Sequence, residues 1–146
     1  MGKKRIITTS GQNTTAENTA DVGTAKKSSK KQVFKGTINI SSSYNNTIVS
    51  VTDPNGNIFA FSSAGMLGFK GARKSTPYAA TLVGKDASEK AKRLGLQEAK
   101  VSIKGIGPGR EAAIRGIAST GINITSIIDA TPMPHNGVRA AKPRRV

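Results

Sequence analysis

The sequence predicts an α/β domain with a mixed five-stranded sheet in the order β-β-β-α-β-α-β, two helices and basic disordered tails. Short β-branched segments alternate with turn residues in the first half of the chain. Two segments of helical periodicity separate strand-like segments in the second half. Both ends are rich in Lys and Arg and poor in apolar side chains. The 146 residues are enough for one modest core but not for two domains.

Residues 1–32 are predicted to form a basic disordered arm. They carry seven Lys or Arg, two Asp or Glu and no aromatic side chain. This composition cannot bury enough apolar surface to offset the conformational entropy that folding removes. A solvated terminus without a function is the alternative for the first part of this segment.

Residues 33–130 are predicted to fold, beginning with three strands joined by short turns. Residues 33–41 alternate between apolar and polar, and residues 47–52 form a second β-branched run. The turn at 53–56 has Pro to preset φ and Gly to permit positive φ, and residues 57–62 give the third strand. Short connections predict an antiparallel meander.

Aromatic side chains of these strands are expected to pack in the core. Phe34 shares the inner face of the first strand with Ile38 and Ile40. Phe59 and Phe61 point to one face of the third strand, where the aromatic residues of an RNA-recognition motif would stack on bases. Their neighbours do not fit that motif, so core packing is favoured.

The first helix is predicted to begin at Pro77, capped by Thr76, and to stop at Gly95. Gly84 lies in its middle and lowers helix stability by about 1 kcal/mol relative to Ala. We therefore expect Gly84 where the helix closely approaches the sheet. The apolar face of the helix consists of Ala80, Val83, Ala87, Ala91 and Leu94.

The remaining elements are a fourth strand, a second helix and a last strand. Residues 99–104 alternate between apolar side chains and Lys or Ser, and residues 110–119 form the helix. In the last strand, residues 122–129, the alternation of apolar side chains changes parity between Ile124 and Ile127. This change predicts a bulge or burial on both faces. The final β-α-β unit should be parallel and right-handed.

A net charge of +15, from 23 Lys and Arg against 8 Asp and Glu, predicts a polyanionic partner. Nucleic acid is the commonest such partner. A membrane surface is the alternative, but no stretch reaches about 18 consecutive apolar residues and no strongly basic amphipathic helix occurs. The lack of cysteine excludes thiolate catalysis and Cys-ligated zinc.

Enzyme chemistry, a cofactor, a metal and a small-molecule substrate are not expected. His135 is the single histidine, so the sequence offers no His pair for a metal. A metal nuclease remains a further hypothesis, whose magnesium-dependent cleavage would require Asp53 or Asp129. The acids of the folded part fall on turns, helix surfaces and strand ends: Asp53, Asp86, Glu89, Glu98, Glu111 and Asp129.

Two glycine-rich segments are candidate phosphate-binding loops. Residues 68–77 place three cations beside glycines at a helix N-terminus, where free N–H groups and the helix dipole attract anions. Residues 105–110 repeat the design at the second helix but match neither the dinucleotide nor the triphosphate motif. Contact with an RNA phosphate is favoured over a cofactor. A solvated basic loop and plain helix-start geometry are the respective alternatives.

Residues 131–146 are predicted to form an extended basic tail. They contain three prolines, Gly137, four Lys or Arg and no acid. Proline and glycine block regular structure, and almost nothing apolar is available, so the tail should order only against a large polyanion. Asn136 precedes Gly137, which leaves its side chain free to cyclise on the backbone. Deamidation or isoaspartate formation is therefore a hypothesis for Asn136.

Four blocks, residues 45–49, 68–77, 104–111 and 129–137, resemble in order the motifs of the eleventh-protein (S-eleven) family of the small ribosomal subunit. The similarity covers about residues 33–146 and looks bacterial-type or organellar. It implies a ribonuclease-H-like sheet without nuclease activity in a cytoplasmic ribosomal protein. It also implies a seat on the platform of the small subunit, where the protein bridges rRNA helices beside the cleft for mRNA–rRNA pairing at initiation.

The resemblance implies small-subunit rRNA as the partner, with the seventh and eighteenth small-subunit proteins as neighbours and initiation factor three and mRNA nearby. A free-standing DNA- or RNA-binding module, with little preference among nucleic acids, is the second hypothesis. Ile106 departs from the Pro of many bacterial members. The predicted RNA-binding residues are Asn45, Asn46, Lys70, Arg73, Lys74, Lys104, Arg110, Arg115, His135, Asn136, Arg139, Lys142, Arg144 and Arg145.

Overall fold

The computed structural model describes residues 33–139, 141 and 142, and in them it confirms a mixed five-stranded α/β sheet with two α-helices. A 3-10 helix, Gly71–Ser75, precedes the first α-helix. The predicted arm at 1–32 lies outside the described residues. The elements are β1 (Lys35–Ser42), β2 (Thr47–Thr52), β3 (Ile58–Ser63), α1 (Pro77–Arg93), β4 (Glu98–Lys104), α2 (Arg110–Ala118) and β5 (Asn123–Asp129).

The strands lie in the order β3-β2-β1-β4-β5. The first three form the predicted antiparallel meander, and β4 runs parallel to both β1 and β5. Central β1 aligns Ile38 with Val51 on one side and Val101 on the other, so a continuous apolar row crosses the sheet. The register of β4 and β5 shifts beside Thr125, which confirms the bulge predicted in the last strand.

Both helices lie on one face of the sheet, α1 over β2 and β3 and α2 against α1. The predicted apolar face of α1 is buried from Ala80 to Ala91, and Thr76 caps the helix by accepting the Ala79 N–H at 3.3 Å. The expectation for Gly84 was wrong about its partner. A Cβ at Gly84 would lie 2.4 Å from the Ala113 carbonyl oxygen, so the close approach is to α2 and not to the sheet.

Two of the aromatic predictions were wrong, because the sheet face opposite the helices is uncovered in the described residues and because the first strand begins after Phe34. Phe61 stands opposite Ser50 on that face and is 53% exposed. Phe34 precedes β1 and is 55% exposed. Phe59 alone packs partly against the core, at the register shift between β2 and β3. Period-2 alternation does not say which sheet face the helices cover, which explains the error at Phe61. It also does not say at which residue a strand begins, which explains the error at Phe34.

No helix within the described residues is long and apolar enough to cross a membrane.

Candidate nucleic-acid interface

One end of the sheet gathers the predicted motifs. The parallel strands β1, β4 and β5 end there, and both α-helices begin there. In open α/β sheets, ligands usually bind outside the carboxyl ends of the strands. We call this surface the loop end; it comprises residues 43–46, 64–76, 105–109 and 129–131.

The loop before α1 presents its cations to solvent. Gly68 and Gly71 adopt positive φ values of 86° and 57°, which turn the chain into the 3-10 helix. Lys70 and Arg73 are exposed and Lys74 is half-buried, and none of the three joins a salt bridge within the described residues. A shallow pocket of about 460 Å³ is lined by residues 67–70 and Arg73.

The N-terminus of α1 continues directly from this loop. The Thr76 hydroxyl donates to the Arg73 carbonyl at 2.8 Å and accepts the Ala79 N–H, so it fixes the loop against the first helical turn. Three cations with no acidic partner among the described residues therefore stand beside the positive end of a helix dipole. Both the charges of these side chains and the N-terminus of the helix attract an anion to this position.

The turn between β1 and β2 is held by Ser43. Its hydroxyl oxygen accepts the N–H groups of Asn45 and Asn46 at 3.4 and 3.1 Å. Neither asparagine has a positive φ, because Asn136 is the one non-glycine residue with positive φ in the described chain. The Asn45 side chain is exposed, whereas the Asn46 Oδ1 atom is buried without a partner among the described residues.

The glycine-rich loop at 105–109 packs against that turn. A Cβ at Gly107 would lie 2.3 Å from the Ser42 hydroxyl, and one at Gly109 would lie 2.3 Å from the Thr47 hydroxyl. Gly105 has a φ of 98°, and a Cβ there would lie 2.2 Å from the Ser42 carbonyl oxygen. Close packing thus accounts for these glycines, which favours the structural alternative for this segment over a phosphate cradle.

Arg110 turns back onto the protein. Its guanidinium donates to the Gly105 carbonyl, to the Thr131 hydroxyl at 3.2 Å and to the Asp129 carboxylate, with which it forms a salt bridge. Thr131 also donates to Asp129 through its hydroxyl at 2.6 Å and its N–H at 3.0 Å. The hydrogen bonds from Thr131, followed by that from Arg110, lower the pKa of Asp129 from 3.8 to about 2.

Thr131 was not among the predicted site residues, although its hydroxyl contacts both Asp129 and Arg110. The signal was an Asp followed two residues later by Thr at a strand end, a pattern typical of side-chain-to-backbone turns. Lys104 ends β4 as an exposed residue opposite Ser41.

The other predicted contacts lie elsewhere or beyond the loop end. Arg115 lies further along α2 and pairs with Glu111 at 3.5 Å, with both side chains more than 80% exposed. His135, Asn136, Arg139 and Lys142 are exposed and belong to no helix or strand. Arg144 and Arg145 lie outside the described residues.

The acids do not converge. Within the part of the chain that the structure describes, no group of three His, Cys, Asp or Glu side chains could hold a metal ion. Asp86, on α1, accepts hydrogen bonds from Ser62 and Lys90, both at 2.6 Å. Although burial raises the pKa of Asp86, these hydrogen bonds lower it below its ordinary value. Asp86 therefore joins α1 to β3 as a structural carboxylate.

The sequence is similar to known proteins over most of its length. Residues 36–145 match the profile of a family described as Ribosomal protein S11. Two curated relatives named small ribosomal subunit protein uS11, from Rhizorhabdus wittichii and Sphingopyxis alaskensis, are each 50% identical to this chain over 121 residues. Each alignment covers 83% of this chain and 94% of the relative.

Proposed function

Because this chain belongs to the ribosomal protein S11 family, whose members are structural constituents of the small ribosomal subunit, we propose that it holds rRNA through its loop end and its C-terminal tail. The observation that carries this proposal is the loop before α1. Its three cations have no acidic partner among the described residues and stand at a helix N-terminus. The part played by the protein is structural rather than catalytic.

The proposed mechanism is charge neutralisation combined with shape fitting. Each Lys or Arg that replaces counterions on a phosphate strengthens binding and makes it dependent on salt. For about 6–10 such contacts, affinity falls by about 10³–10⁵ between 50 and 200 mM salt. The contact candidates on the domain are Asn45, Asn46, Lys70, Arg73, Lys74 and Lys104, with Arg115 as an outlying cation.

The tail supplies a second kind of contact. Its described residues lie outside helices and strands and are exposed from Pro132 onward, and the whole of residues 131–146 contains no acid. Beyond its proline-containing start at residues 131–134, such a segment gains order only by binding, and it reaches between RNA helices that the compact domain cannot enter. His135, Asn136, Arg139, Lys142, Arg144 and Arg145 are its proposed contacts.

We further place the protein on the platform of a bacterial-type small subunit in the cytoplasm. There it would bridge several rRNA helices and help to form the cleft in which mRNA pairs with rRNA at initiation. The seventh and eighteenth small-subunit proteins would be its neighbours, and initiation factor three and mRNA would bind nearby. The four sequence blocks that resemble the family support this placement. The division of the chain into an arm (1–32), a folded domain (33–130) and a tail (131–146) is part of the same proposal.

Fractionation of a cell lysate on sucrose gradients tests the function. The chain, tracked by mass spectrometry, is expected to migrate with small subunits and to stay there through a moderate salt wash. Migration at the top of the gradient, or release at the lowest salt, would overturn the proposal in favour of a free nucleic-acid-binding module.

A further inference from the structure

We propose that Arg110 is a positioning residue, which acts through Asp129 and Thr131 to fix the direction in which the C-terminal tail leaves the sheet. The four residues that make this arrangement, Gly105, Arg110, Asp129 and Thr131, are called the tail node. The consequence for RNA binding rests on the proposed function, whereas the node itself is a property of the free protein.

The Thr131 hydroxyl is fully used in the node. A hydroxyl has one proton to donate and two lone pairs to accept hydrogen bonds. This one donates to Asp129 at 2.6 Å and accepts from the Arg110 guanidinium and the Gly105 N–H, both at 3.2 Å. Three chain segments therefore meet on one oxygen atom: the start of α2, the loop after β4 and the first residues beyond β5.

The node holds the chain just after the sheet ends. The Ala130 N–H still donates to the Ile103 carbonyl at 2.8 Å, which extends the β4–β5 ladder by one residue. The Thr131 N–H then turns to the Asp129 carboxylate at 3.0 Å instead of continuing the ladder. The backbone direction at Thr131 is thus set by side chains and not by strand pairing.

The residues beyond the node transmit this direction. Thr131 and Met133 each precede a proline, which restricts both residues to extended conformations. Pro132 and Pro134 have fixed φ angles and no N–H groups. The segment from Thr131 to Pro134 is therefore a stiff spacer of about 10 Å, at the ~3.1 Å per residue of an extended proline-rich chain. A change of direction at its start displaces the basic residues that follow.

The charge of Arg110 is already compensated. Its side chain is 28% exposed and is paired with the Asp129 carboxylate, whereas Lys70 and Arg73 have no acidic partner in the described chain. A guanidinium that is paired with a carboxylate adds little net positive electrostatic potential, so it attracts a phosphate only weakly. The geometry therefore gives Arg110 an effect on RNA binding through the tail and not through its own charge.

Asp129→Asn and Glu111→Gln test the proposal as a matched pair. Each removes one negative charge from the same end of the protein, but the one salt bridge of Glu111 in the described residues is to the exposed Arg115. If charge alone governed binding, both variants would bind small-subunit rRNA slightly more tightly. We expect Glu111→Gln to do so and Asp129→Asn to bind about tenfold more weakly, the effect of losing a charged hydrogen bond. Equal, slightly tighter binding by both variants would refute the proposal.

Shortened chains that end at residue 137 separate positioning from direct contact. In the full chain, Arg110→Gln is expected to weaken rRNA binding about tenfold. In the shortened chain it should have almost no effect, since the basic part of the tail is gone. Equal weakening in both chains, with a salt slope reduced by about 1, would instead make Arg110 a phosphate contact and overturn the proposal.

Amide hydrogen exchange in the free protein provides the independent readout. Exchange of the Gly105 and Thr131 N–H groups should accelerate in Asp129→Asn and in Thr131→Val, but not in Glu111→Gln. Unchanged exchange in both node variants would refute the node, whatever the RNA result. If every form, including the parent, failed to bind rRNA while exchange changed as expected, the proposed function would fail and the node would stand.

Discussion

Gly84 of α1 and Gly116 of α2 lie at the crossing of the two helices, where each faces the backbone of the other. A Cβ on Gly84 would lie 2.4 Å from the Ala113 carbonyl oxygen, and a Cβ on Gly116 would lie 2.2 Å from the Thr81 carbonyl oxygen. Backbone atoms cannot rotate away as a side chain would. The missing side chains therefore set the distance between the helices. The first residue of α2 is Arg110, a member of the tail node.

Replacing Gly116 with Ala should destabilise the protein, although Ala favours helix by about 1 kcal/mol. The new methyl group would force the helices apart, and overpacking of this kind costs about 1–3 kcal/mol. We expect the free energy of unfolding, measured with urea, to fall by at least about 1 kcal/mol. Gly65→Ala is the control, because the nearest atom to its Cβ is 4.0 Å away. A Gly116→Ala variant as stable as the parent would contradict the close packing.

The pKa of Asp129 yields a prediction about pH. Its folded value of about 2 lies below the ordinary 3.8, so the node stabilises the folded protein above pH 3.8. That contribution disappears as the pH falls through 2. Because the hydrogen bond from the Thr131 hydroxyl is the largest cause, Thr131→Val should raise the pKa of Asp129.

Nuclear magnetic resonance titration of the Asp129 carboxyl carbon measures this shift. Thr125→Val provides the control, since Thr125 lies in the bulge of the same strand, outside the node. The control should leave the titration of Asp129 unchanged. A Thr131→Val variant in which Asp129 still titrates near pH 2 would show that the hydroxyl does not hold the carboxylate.

Local sequence signals correctly predicted features that depend on a few neighbouring residues. Thr76 followed by Pro77 located the start of α1, and the change of parity between Ile124 and Ile127 located the bulge in β5. These signals act within a few residues of chain, so one sequence suffices to detect them.

Contacts between distant segments were beyond such signals. The sequence indicated that Gly84 needs a close neighbour but not that the neighbour is α2. It showed that Arg110 is charged but not that its partner is Asp129, which is 19 positions away. The side on which the helices cover the sheet decided the exposure of Phe61. Each outcome depends on tertiary packing, which periodicity alone does not specify.

The chain contains two Asn-Gly pairs, and only one is predicted to form isoaspartate readily. Cyclisation requires the backbone nitrogen of the glycine to attack the asparagine side-chain carbonyl, with loss of ammonia. The Gly56 N–H is held by the Asp53 carbonyl at 2.9 Å, whereas the Gly137 N–H has no partner among the described residues. Asn136 is also exposed. Peptide mapping after incubation at mildly alkaline pH should find isoaspartate at position 136 well before position 55. Equal modification of both sites would contradict this.

Salt-dependent binding of small-subunit rRNA distinguishes the loop cations from ordinary surface lysines. Lys70 has no acidic partner in the described chain, whereas Lys85 on α1 pairs with Glu89 at 3.9 Å. Both Lys70→Gln and Lys85→Gln remove one positive charge from an exposed position. If Lys70 contacts a phosphate, then the variant without it releases fewer counterions from the RNA when it binds. The slope of log affinity against log salt should then become shallower by about 1 for Lys70→Gln and stay unchanged for Lys85→Gln. Identical slopes for the two variants would mean that Lys70 adds only to the overall positive electrostatic potential of the protein and does not contact a phosphate.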